Sequence, residues 1–332
     1  MTVRIGTRAS KLALTQTQQT ADQLAAVGGF PVELVHIRTD GDVLTGSLSQ
    51  MGGTGVFVAA LRDALLRNEC DVAIHSLKDL PTGAAVGLSL AATPRRVDVR
   101  DVLCARDGLK LADLPAGARV GTGSPRRAAQ LRAARPDLEI IDIRGNVDTR
   151  LGRVPGLPGN ATTEVVPGKS CDLDAVVLAA AGLERISRLD TVSEFLETDV
   201  MLPAAGQGSL AIECRTADAP ARPGFAEGPK DVLAQALSAL DDPDTRLAVT
   251  AERALLARLE AGCAAPVGAY AFRKGSLLHL EAVVCAVDGT ASVRDKRATD
   301  GLTEVGATLL GIELAEVLLA AGAADIADLQ AS

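Results

Sequence analysis

The sequence predicts an α/β fold with mostly parallel sheets and helices on their faces, followed by a small α+β domain. Strand-like and helix-like patterns alternate through about the first two hundred residues, which is typical of such sheets. The alternation starts again near Asp101, so we expect two α/β halves. After about Pro220 the pattern changes to two helices, a run of strands and a closing helix, which indicates a separate small domain.

In the first half, short apolar runs predict the strands and longer runs with helical periodicity predict the helices. Ser10 is a good N-cap for the first helix, which contains Leu12 and Leu24 among its apolar positions. The loop HSLKDLP follows the third strand, and open α/β sheets bind ligands at the carboxyl ends of their strands. The expected elements are strands 3–7, 32–38 and 70–75 and helices 10–27 and 56–66.

The second half is expected to repeat this plan. Its predicted elements are strands 102–105, 119–121, 138–143 and 174–179 and helices 124–135, 146–151 and one from the last strand to Arg188. Between the halves, 93–100 is a candidate hinge. Pro-Gly pairs in 152–172 indicate a surface loop, and LPAAGQG (202–208) is interpreted as a flexible linker.

The C-terminal part is expected to hold helices 231–240, 243–259 and 302–321 around strands 267–272, 277–287 and 291–298. The Asp288-Gly289 pair predicts a hairpin turn between the last two strands. Taken together, we expect domain 1 to contain residues 1–97 and 200–218, domain 2 residues 98–199, and domain 3 residues 219–332.

Composition excludes several classes of function. No apolar run approaches the roughly 18 residues of a membrane span, and no export leader precedes the first strand. Six cysteines lack CxxC spacing, which argues against a disulfide framework or a structural zinc site. The net charge of −8, the 2% aromatic content and the absence of Trp argue against a nucleic-acid partner. We expect a cytoplasmic protein with reduced thiols.

Arginine is concentrated in one part of the chain. Twelve of the 27 arginines fall between Arg95 and Arg153, where eight acidic residues and Lys110 leave a local net charge of +5. Coding bias is an alternative explanation, since arginines outnumber lysines 27 to 7 throughout. Bias does not explain why arginines stand at the starts of helices.

Three junctions between a strand and a helix carry arginine. In GTGSPRR, Ser124 is a good N-cap and Pro125 suits the first turn, yet Arg126 and Arg127 oppose the helix dipole there. Such a placement makes sense if an anion binds; a capped surface helix remains the alternative. RGNVDTR (144–150) and TRAS (7–10) repeat the arrangement, so we favour a cleft for several carboxylates or phosphates over solvated arginines.

Two further positions are candidates for chemistry. In HSLKDLP, Lys78 and Asp79 form either a site or an ordinary surface ion pair, and His75, which ends a buried strand, is interpreted as structural. LEAGC (259–263) leaves Cys263 in a loop after a helix. An isolated cysteine is more often inert than reactive, and nothing local distinguishes the two.

These segments together resemble the porphobilinogen deaminases, also called hydroxymethylbilane synthases. The resemblance runs from Arg4 to about Ala321 and rests on motifs in the order of that family. The motifs are TRAS, HSLKDLP, GTGSPRR, RGNVDTR, LPAAGQG, IECR (212–215) and LEAGC.

The resemblance implies two domains similar to the halves of periplasmic anion-binding proteins, flanking a cleft, and a third domain that carries a dipyrromethane cofactor. It implies that four porphobilinogen molecules are joined head to tail, each with loss of ammonia, and released as hydroxymethylbilane. Each porphobilinogen has two carboxylates, so arginines are suitable partners for the substrate. The family resemblance also implies a monomer without metal.

Residue roles follow from the same resemblance. Asp79 matches the catalytic aspartate, which stabilises the cationic azafulvene and protonated pyrrole intermediates. Cys263 matches the thioether attachment of the cofactor. The cofactor-binding matches are Ser10, Lys78, Thr122, Ser124, Arg126, Arg127, Arg144 and Asn146, and the substrate-binding matches are Arg8, Ser10, Arg144, Arg150 and Arg185.

Some features depart from the family pattern. Thr54 and Ala59 stand where relatives often have lysine, and the loop 152–172 is longer than expected. The glycine-rich run 41–55 is interpreted as a lid that closes by sterics and backbone contacts. A non-catalytic anion-binding or effector-sensing module is the rival function, and a phosphate-transferring enzyme is a weaker one because no nucleotide loop is present.

Overall fold

The computed structural model describes residues 2–37, 55–158, 171–221, 232–262 and 265–329. Cys263, Thr54 and most of the segments 41–55 and 152–172 lie outside these residues, and so does Arg38 at the end of the second predicted strand. Two five-stranded sheets and one three-stranded sheet organise the described chain.

The first sheet has the order β2-β1-β3-β10-β4. Strands β1, β2 and β3 are parallel, and β10 runs antiparallel to both of its neighbours. The elements are β1 (Val3–Thr7), α1 (Lys11–Gly28), β2 (Val32–His36), α2 (Gly55–Leu66), β3 (Val72–Ser76), β4 (Leu88–Ala92) and, later in the chain, β10 (Leu210–Arg215).

The second sheet has the order β7-β6-β8-β5-β9. Its elements are β5 (Asp101–Ala105), β6 (Arg119–Thr122), α3 (Pro125–Ala134), β7 (Glu139–Asp142), α4 (Val147–Leu151), β8 (Ala175–Ala179), α5 (Ala180–Arg185) and β9 (Glu194–Leu196). Strands β6, β7 and β8 are parallel, and β5 is antiparallel to both β8 and β9.

The two sheets therefore share one topology. In each, the fourth strand alone runs against the other four, and the chain enters that strand directly from the other sheet. Two stretches, residues 93–100 and 197–209, make these passages; we call them the crossing segments. The prediction of mostly parallel sheets with helices is confirmed.

The C-terminal domain is an antiparallel meander, β11-β12-β13, covered by two long helices. Alanine and leucine side chains from the sheet and from both helices form its core. Its elements are α7 (Pro243–Arg258), β11 (Val267–Lys274), β12 (Leu277–Cys285), β13 (Ser292–Thr299), α8 (Glu304–Ala320) and α9 (Ala323–Ile326). The predicted hairpin and the small α+β architecture are confirmed.

Helix α6 (Val232–Leu240) precedes this domain in the chain but packs elsewhere. Its Leu233 and Leu237 belong to the same buried cluster as Val3 and Ile5 of β1 and Leu24 of α1. The helix therefore covers the first α/β layer.

Several local expectations differ from the structure. Strands β4, β9 and β10 were not predicted, and the helix expected to reach Arg188 ends at Arg185. The interpretation of LPAAGQG as a flexible linker is wrong, because Leu202 and Gln207 are almost fully buried and the backbone N–H of Gly206 donates to Glu252. Among the described residues, no helix is both long and apolar enough to cross a membrane.

Candidate active site

The loop HSLKDLP extends from the carboxyl end of β3 and forms one 3₁₀ turn, Leu77–Asp79. Asp79, at the end of this turn, lines a cavity of about 170 Å³. The loop is held from the C-terminal domain, since Arg253 on α7 donates to the carbonyl oxygens of Leu80 at 2.9 Å and Pro81 at 2.7 Å. The position of Asp79 is therefore fixed by two domains.

The start of α1 forms another wall of the same cavity, through Arg8 and Ser10. Ser10 is the N-cap predicted from the sequence, and its hydroxyl accepts from the N–H of Ala13 at 3.3 Å. Leu12 also lines the cavity, and a Cβ placed on Gly182 of α5 would lie 3.9 Å from the Leu12 side chain. The cavity thus lies beside the contact between α1 and α5, and it is lined by Arg8, Ser10 and Asp79 together.

The GTGSPRR turn leads from β6 into α3 by a tight path. Ser124 caps the helix, its hydroxyl accepting from the N–H of Arg127 at 3.5 Å, and its own N–H donates to Thr122 Oγ1 at 3.2 Å. Gly123 is required here, because a Cβ would lie 2.4 Å from the carbonyl oxygen of Ile143. The predicted cap is confirmed.

Arg126 and Arg127 are not surface residues, with exposed fractions of 3% and 5%. Both pair with the fully buried carboxylate of Asp101 at the start of β5, Arg126 Nη1 at 2.8 Å and Arg127 Nη2 at 2.7 Å. Arg127 also donates to the carbonyl oxygen of Val177, and Arg126 to that of Leu202. The alternative of a capped surface helix is therefore wrong in one respect: Ser124 caps the helix, but Arg126 and Arg127 are not at the surface.

Asp101 remains ionised in this setting. Burial alone would raise the pKa of its carboxyl, but Arg126 and Arg127 hold that pKa far below its usual range. Two guanidinium groups share one carboxylate, so the buried cluster retains an excess positive charge.

Lys78 connects the Leu77–Asp79 turn to this cluster instead of forming the surface pair considered above. Its Nζ donates to Gln207 Oε1 at 3.4 Å, and Gln207 Nε2 donates to Asp101 Oδ1 at 2.8 Å. Burial, and then the charge of Arg127, lower the pKa of the Lys78 amine to about 8. Lys78, Asp101 and the paired arginines thus form one continuous network.

The RGNVDTR segment lies at the edge of this network. Asn146 caps the short α4, its Oδ1 accepting from the N–H of Thr149 at 2.8 Å, and Arg150 donates to the carbonyl oxygen of Gly145 at 2.8 Å. Burial, followed by the charges of Arg127 and Arg144, lowers the pKa of Arg150 to about 10. The arginines of α3 and α4 are therefore near enough to repel one another.

Arg144 and Arg185 have different environments. Half of the Arg144 side chain is exposed, and it lies 3.3 Å from Asp142. Arg185, at the end of α5, donates to the carbonyl oxygen of Gly208 in the second crossing segment at 2.9 Å, and burial lowers its pKa to about 10. Arg185 is not among the residues that line the cavity with Asp79.

Cys263 lies outside the described residues, but the chain on both sides of it is held in place. The N–H of Gly262 donates to the carbonyl oxygen of Leu329, and that of Ala265 to the carbonyl oxygen of Gly262, both at 3.1 Å. In the sequence, Cys263 follows Gly262 and lies between α7 and β11.

Comparison with known families agrees with this arrangement of two α/β layers and a C-terminal domain. The model of the porphobilinogen deaminase, dipyromethane cofactor binding domain matches residues 3–222, and that of the porphobilinogen deaminase C-terminal domain matches residues 246–320. The chain belongs to the porphobilinogen deaminase family. It is thus a transferase that condenses four porphobilinogen molecules into hydroxymethylbilane, and its cofactor is a dipyrromethane.

Individual relatives are similar over nearly the whole chain. The porphobilinogen deaminase of Cutibacterium acnes is 54% identical over 341 residues, covering 99% of this chain and 98% of its own. That of Thermobifida fusca is 53% identical, covering 97% and 95%. Among solved structures, a putative methionine-binding lipoprotein of Bacillus subtilis aligns with 72% of this chain and 89% of its own, at 13% identity and a TM-score of 0.40.

Sequence reasoning missed Asp101 and Gln207. The signal for Asp101 was present, since an acidic residue opening the apolar strand DVLCA needs a buried partner. Gln207 gave no comparable signal, because its contacts come from segments more than a hundred residues away.

Proposed function

We propose that Asp79 is the catalytic residue of this porphobilinogen deaminase and that the buried arginines hold the carboxylates of cofactor and substrate. The observation that carries the proposal is the adjacency of two unlike sites. Asp79 lines a cavity with Arg8 and Ser10, and Lys78, the next residue in the turn, leads into a buried cluster with excess positive charge.

The cluster fits a ligand that bears carboxylates. The cationic side chains of Lys78, Arg126 and Arg127 lie around the single carboxylate of Asp101. The other acidic group that acts on Lys78 is Asp79. The Nε of Arg126 is buried and has no hydrogen-bond partner among the described residues. A buried N–H donor without a hydrogen-bond partner costs free energy. A ligand carboxylate is a favourable partner for such a donor.

The remaining residues extend this clamp. Ser10, Ser124 and Asn146 cap the starts of α1, α3 and α4, and Thr122 ends β6 with its hydroxyl bonded to the N–H of Ser124. We propose that Arg144 and Arg150 bind later carboxylates. Each charge-assisted hydrogen bond contributes about 1.5–3 kcal/mol net, so a few of them suffice to retain a polycarboxylate. Arg185 contributes indirectly, because its guanidinium holds the carbonyl of Gly208 and thereby the second crossing segment.

Asp79 acts by electrostatics. When bound, the dipyrromethane supplies the pyrrole carbon to which the first substrate unit is joined, and Cys263 holds it through a thioether. The Asp79 carboxylate faces the cavity from a fixed turn, where it stabilises positive charge that develops on the substrate pyrrole as ammonia leaves. Partial enclosure of the site strengthens that interaction, because it replaces solvent with fixed dipoles.

We also propose the division into domains given above, except that α6, which that division assigns to domain 3, packs on domain 1. We propose that the enzyme is a cytoplasmic monomer whose partner is porphobilinogen, without metal, membrane or nucleic acid. Thr54 and Ala59 carry no charge, so we propose that the arginines bind the substrate carboxylates. Ala59 is exposed on α2.

The test is direct assay of the purified chain. We expect it to consume porphobilinogen, to release one ammonia for each unit consumed, and to form a linear tetrapyrrole identified by mass spectrometry. Binding of porphobilinogen without ammonia release would instead support the effector-sensing alternative.

A further inference from the structure

Gln207 occupies the point where the catalytic turn meets the paired arginines. Its side chain is 1% exposed and makes three polar contacts. Nε2 donates to Asp101 Oδ1 and to the carbonyl oxygen of Val99, each at 2.8 Å, and Oε1 accepts from Lys78 Nζ at 3.4 Å. One amide therefore joins the Leu77–Asp79 turn, the first crossing segment and the second sheet.

The backbone that carries Gln207 is held on both sides. Gly206 and Gly208 have φ of +74° and +86°, which side-chain-bearing residues rarely adopt. A Cβ on Gly208 would lie 2.8 Å from the carbonyl oxygen of Val97. The carbonyl oxygen of Gln207 accepts from Arg96 Nε at 2.7 Å. The amide is thus presented at a fixed point by a constrained turn.

We propose that Gln207 is a positioning residue. Its amide holds the Lys78 amine in a fixed position relative to the Asp101 carboxylate, and thereby fixes how the guanidinium groups of Arg126 and Arg127 meet a ligand carboxylate. The inference rests on the proposed roles of Lys78 and the two arginines.

The amide meets two opposite demands at this position. Lys78 needs an acceptor and Asp101 needs a donor, and the charged groups that face Lys78 are Asp79, Asp101, Arg126 and Arg127. A carboxylate would still accept from Lys78 but would set a second negative charge against Asp101. An apolar side chain of the same length would satisfy neither group.

The experiment compares Gln207→Met and Gln207→Glu with Gln130→Met. Gln130 is the control for the loss of a buried amide, because its exposed fraction is 5% and its amide also bonds to a crossing segment, through the N–H and carbonyl of Leu202. Its Nε2 also donates to the backbone carbonyl of Arg126, but its amide makes no hydrogen bond to Lys78 or Asp101. For each variant, the thermal midpoint, the fraction of folded chain that carries cofactor by intact mass, and the pH profile of kcat/KM are measured.

We expect Gln207→Met to lower the fraction of chain that carries cofactor, or to raise KM, roughly tenfold to a hundredfold. Gln130→Met, with a similar thermal midpoint, should keep the loaded fraction and the KM of wild type. Removing the acceptor of Lys78 should move the alkaline limb of the profile to lower pH, and Gln207→Glu should move it to higher pH, since a negative charge favours the ammonium form.

Equal loading, KM and pH profile in the two methionine variants would overturn the inference and leave the deaminase assignment intact. If Gln207→Met does not fold, Gln207→Glu decides alone, and an unshifted alkaline limb overturns the inference. Absence of cofactor and turnover in the wild-type chain would instead overturn the proposed function.

Discussion

Arg96 and Glu252 form a buried ion pair between the first crossing segment and α7, with Nη1 2.6 Å and Nη2 3.1 Å from the two carboxylate oxygens. Glu252 is fully buried, and it also accepts from the N–H groups of Gly206 and Ala271. One carboxylate thereby joins both crossing segments to the C-terminal domain. Both crossing segments connect the first sheet, which carries Asp79, with the second sheet, which carries the arginines. The position of Asp79 relative to the arginines therefore depends on the Glu252 carboxylate.

We expect Glu252→Ala to destabilise the chain by about 3–5 kcal/mol, because it leaves Arg96 buried without its counter-ion. Urea unfolding measures the change. Glu316→Ala is the matched control, since the Arg258–Glu316 pair has the same 2.6 Å separation but both side chains are about half exposed. That pair should contribute no more than about 1 kcal/mol. Comparable losses in the two variants would contradict the structural role of Glu252.

Asp79→Asn should keep the fold and the cofactor but lose turnover by roughly a hundredfold to a thousandfold, since only the charge that stabilises the reacting pyrrole is removed. Single-turnover ammonia release, with thermal unfolding and intact mass alongside, separates chemistry from folding and loading. Turnover within tenfold of wild type would show that Asp79 does not act electrostatically.

Arg144→Ala should raise the KM for porphobilinogen roughly tenfold to a hundredfold, the loss of one charge-assisted hydrogen bond to a carboxylate. Its thermal midpoint should stay near that of wild type, because Arg144 is half exposed and pairs only with Asp142 at 3.3 Å among the described residues. Arg273→Ala in the C-terminal domain removes an equally exposed paired arginine and is the control. A KM no different from that of the control would favour coding bias for this arginine.

Arg126→Leu should behave differently, because Arg126 is buried against Asp101. We expect loss of both cofactor loading and stability, the latter by about 3–5 kcal/mol as one partner of a buried charge cluster is removed. Intact mass and urea unfolding measure the two effects. Full loading with unchanged stability would contradict the structure of this cluster.

The pH dependence of stability should include a contribution from Glu213. Burial raises the pKa of its carboxyl, but hydrogen bonds from His75 and Arg62 outweigh this and lower it to about 2. The pKa of Glu213 is lower in the folded state than in the unfolded chain, where it is about 4.3, so the ionised carboxylate stabilises the fold at pH values above the unfolded pKa. This stabilisation is lost as the pH falls through the folded-state pKa. The difference in unfolding free energy between wild type and Glu213→Gln should therefore be full above about pH 5 and shrink towards pH 2. A constant difference would contradict the assignment.

The sequence predicted most elements because periodicity and caps are local. Ser10 and Ser124 cap the helices expected of them, and a short helix follows Asn146 near its predicted position. It did not predict β10, whose pairing partners β3 and β4 lie more than a hundred residues earlier in the chain. For the same reason LPAAGQG was wrongly interpreted as flexible: its glycines suit a loop, and the long-range bonds that immobilise it are invisible locally.

Some positions of the candidate site residues could also be expected from the sequence. Local placement at a strand end indicated Asp79, and the arginines at helix starts indicated an anion site. The burial of Arg126 and Arg127 could not be predicted, because their carboxylate, Asp101, comes from an earlier strand. The interpretation of His75 as structural agrees with its burial and its 3.1 Å separation from Glu213.

The most direct measurement of the central claim is the intact mass of the purified chain beside that of Cys263→Ser. We expect the wild-type mass to exceed the sequence mass by two porphobilinogen units less two ammonia molecules, one lost as the thioether forms and one as the second ring is joined. Cys263→Ser should have the sequence mass and no turnover, with a thermal midpoint showing that it folds. A wild-type chain without mass excess, or a serine variant that keeps it, would contradict the assignment of Cys263 as the attachment site.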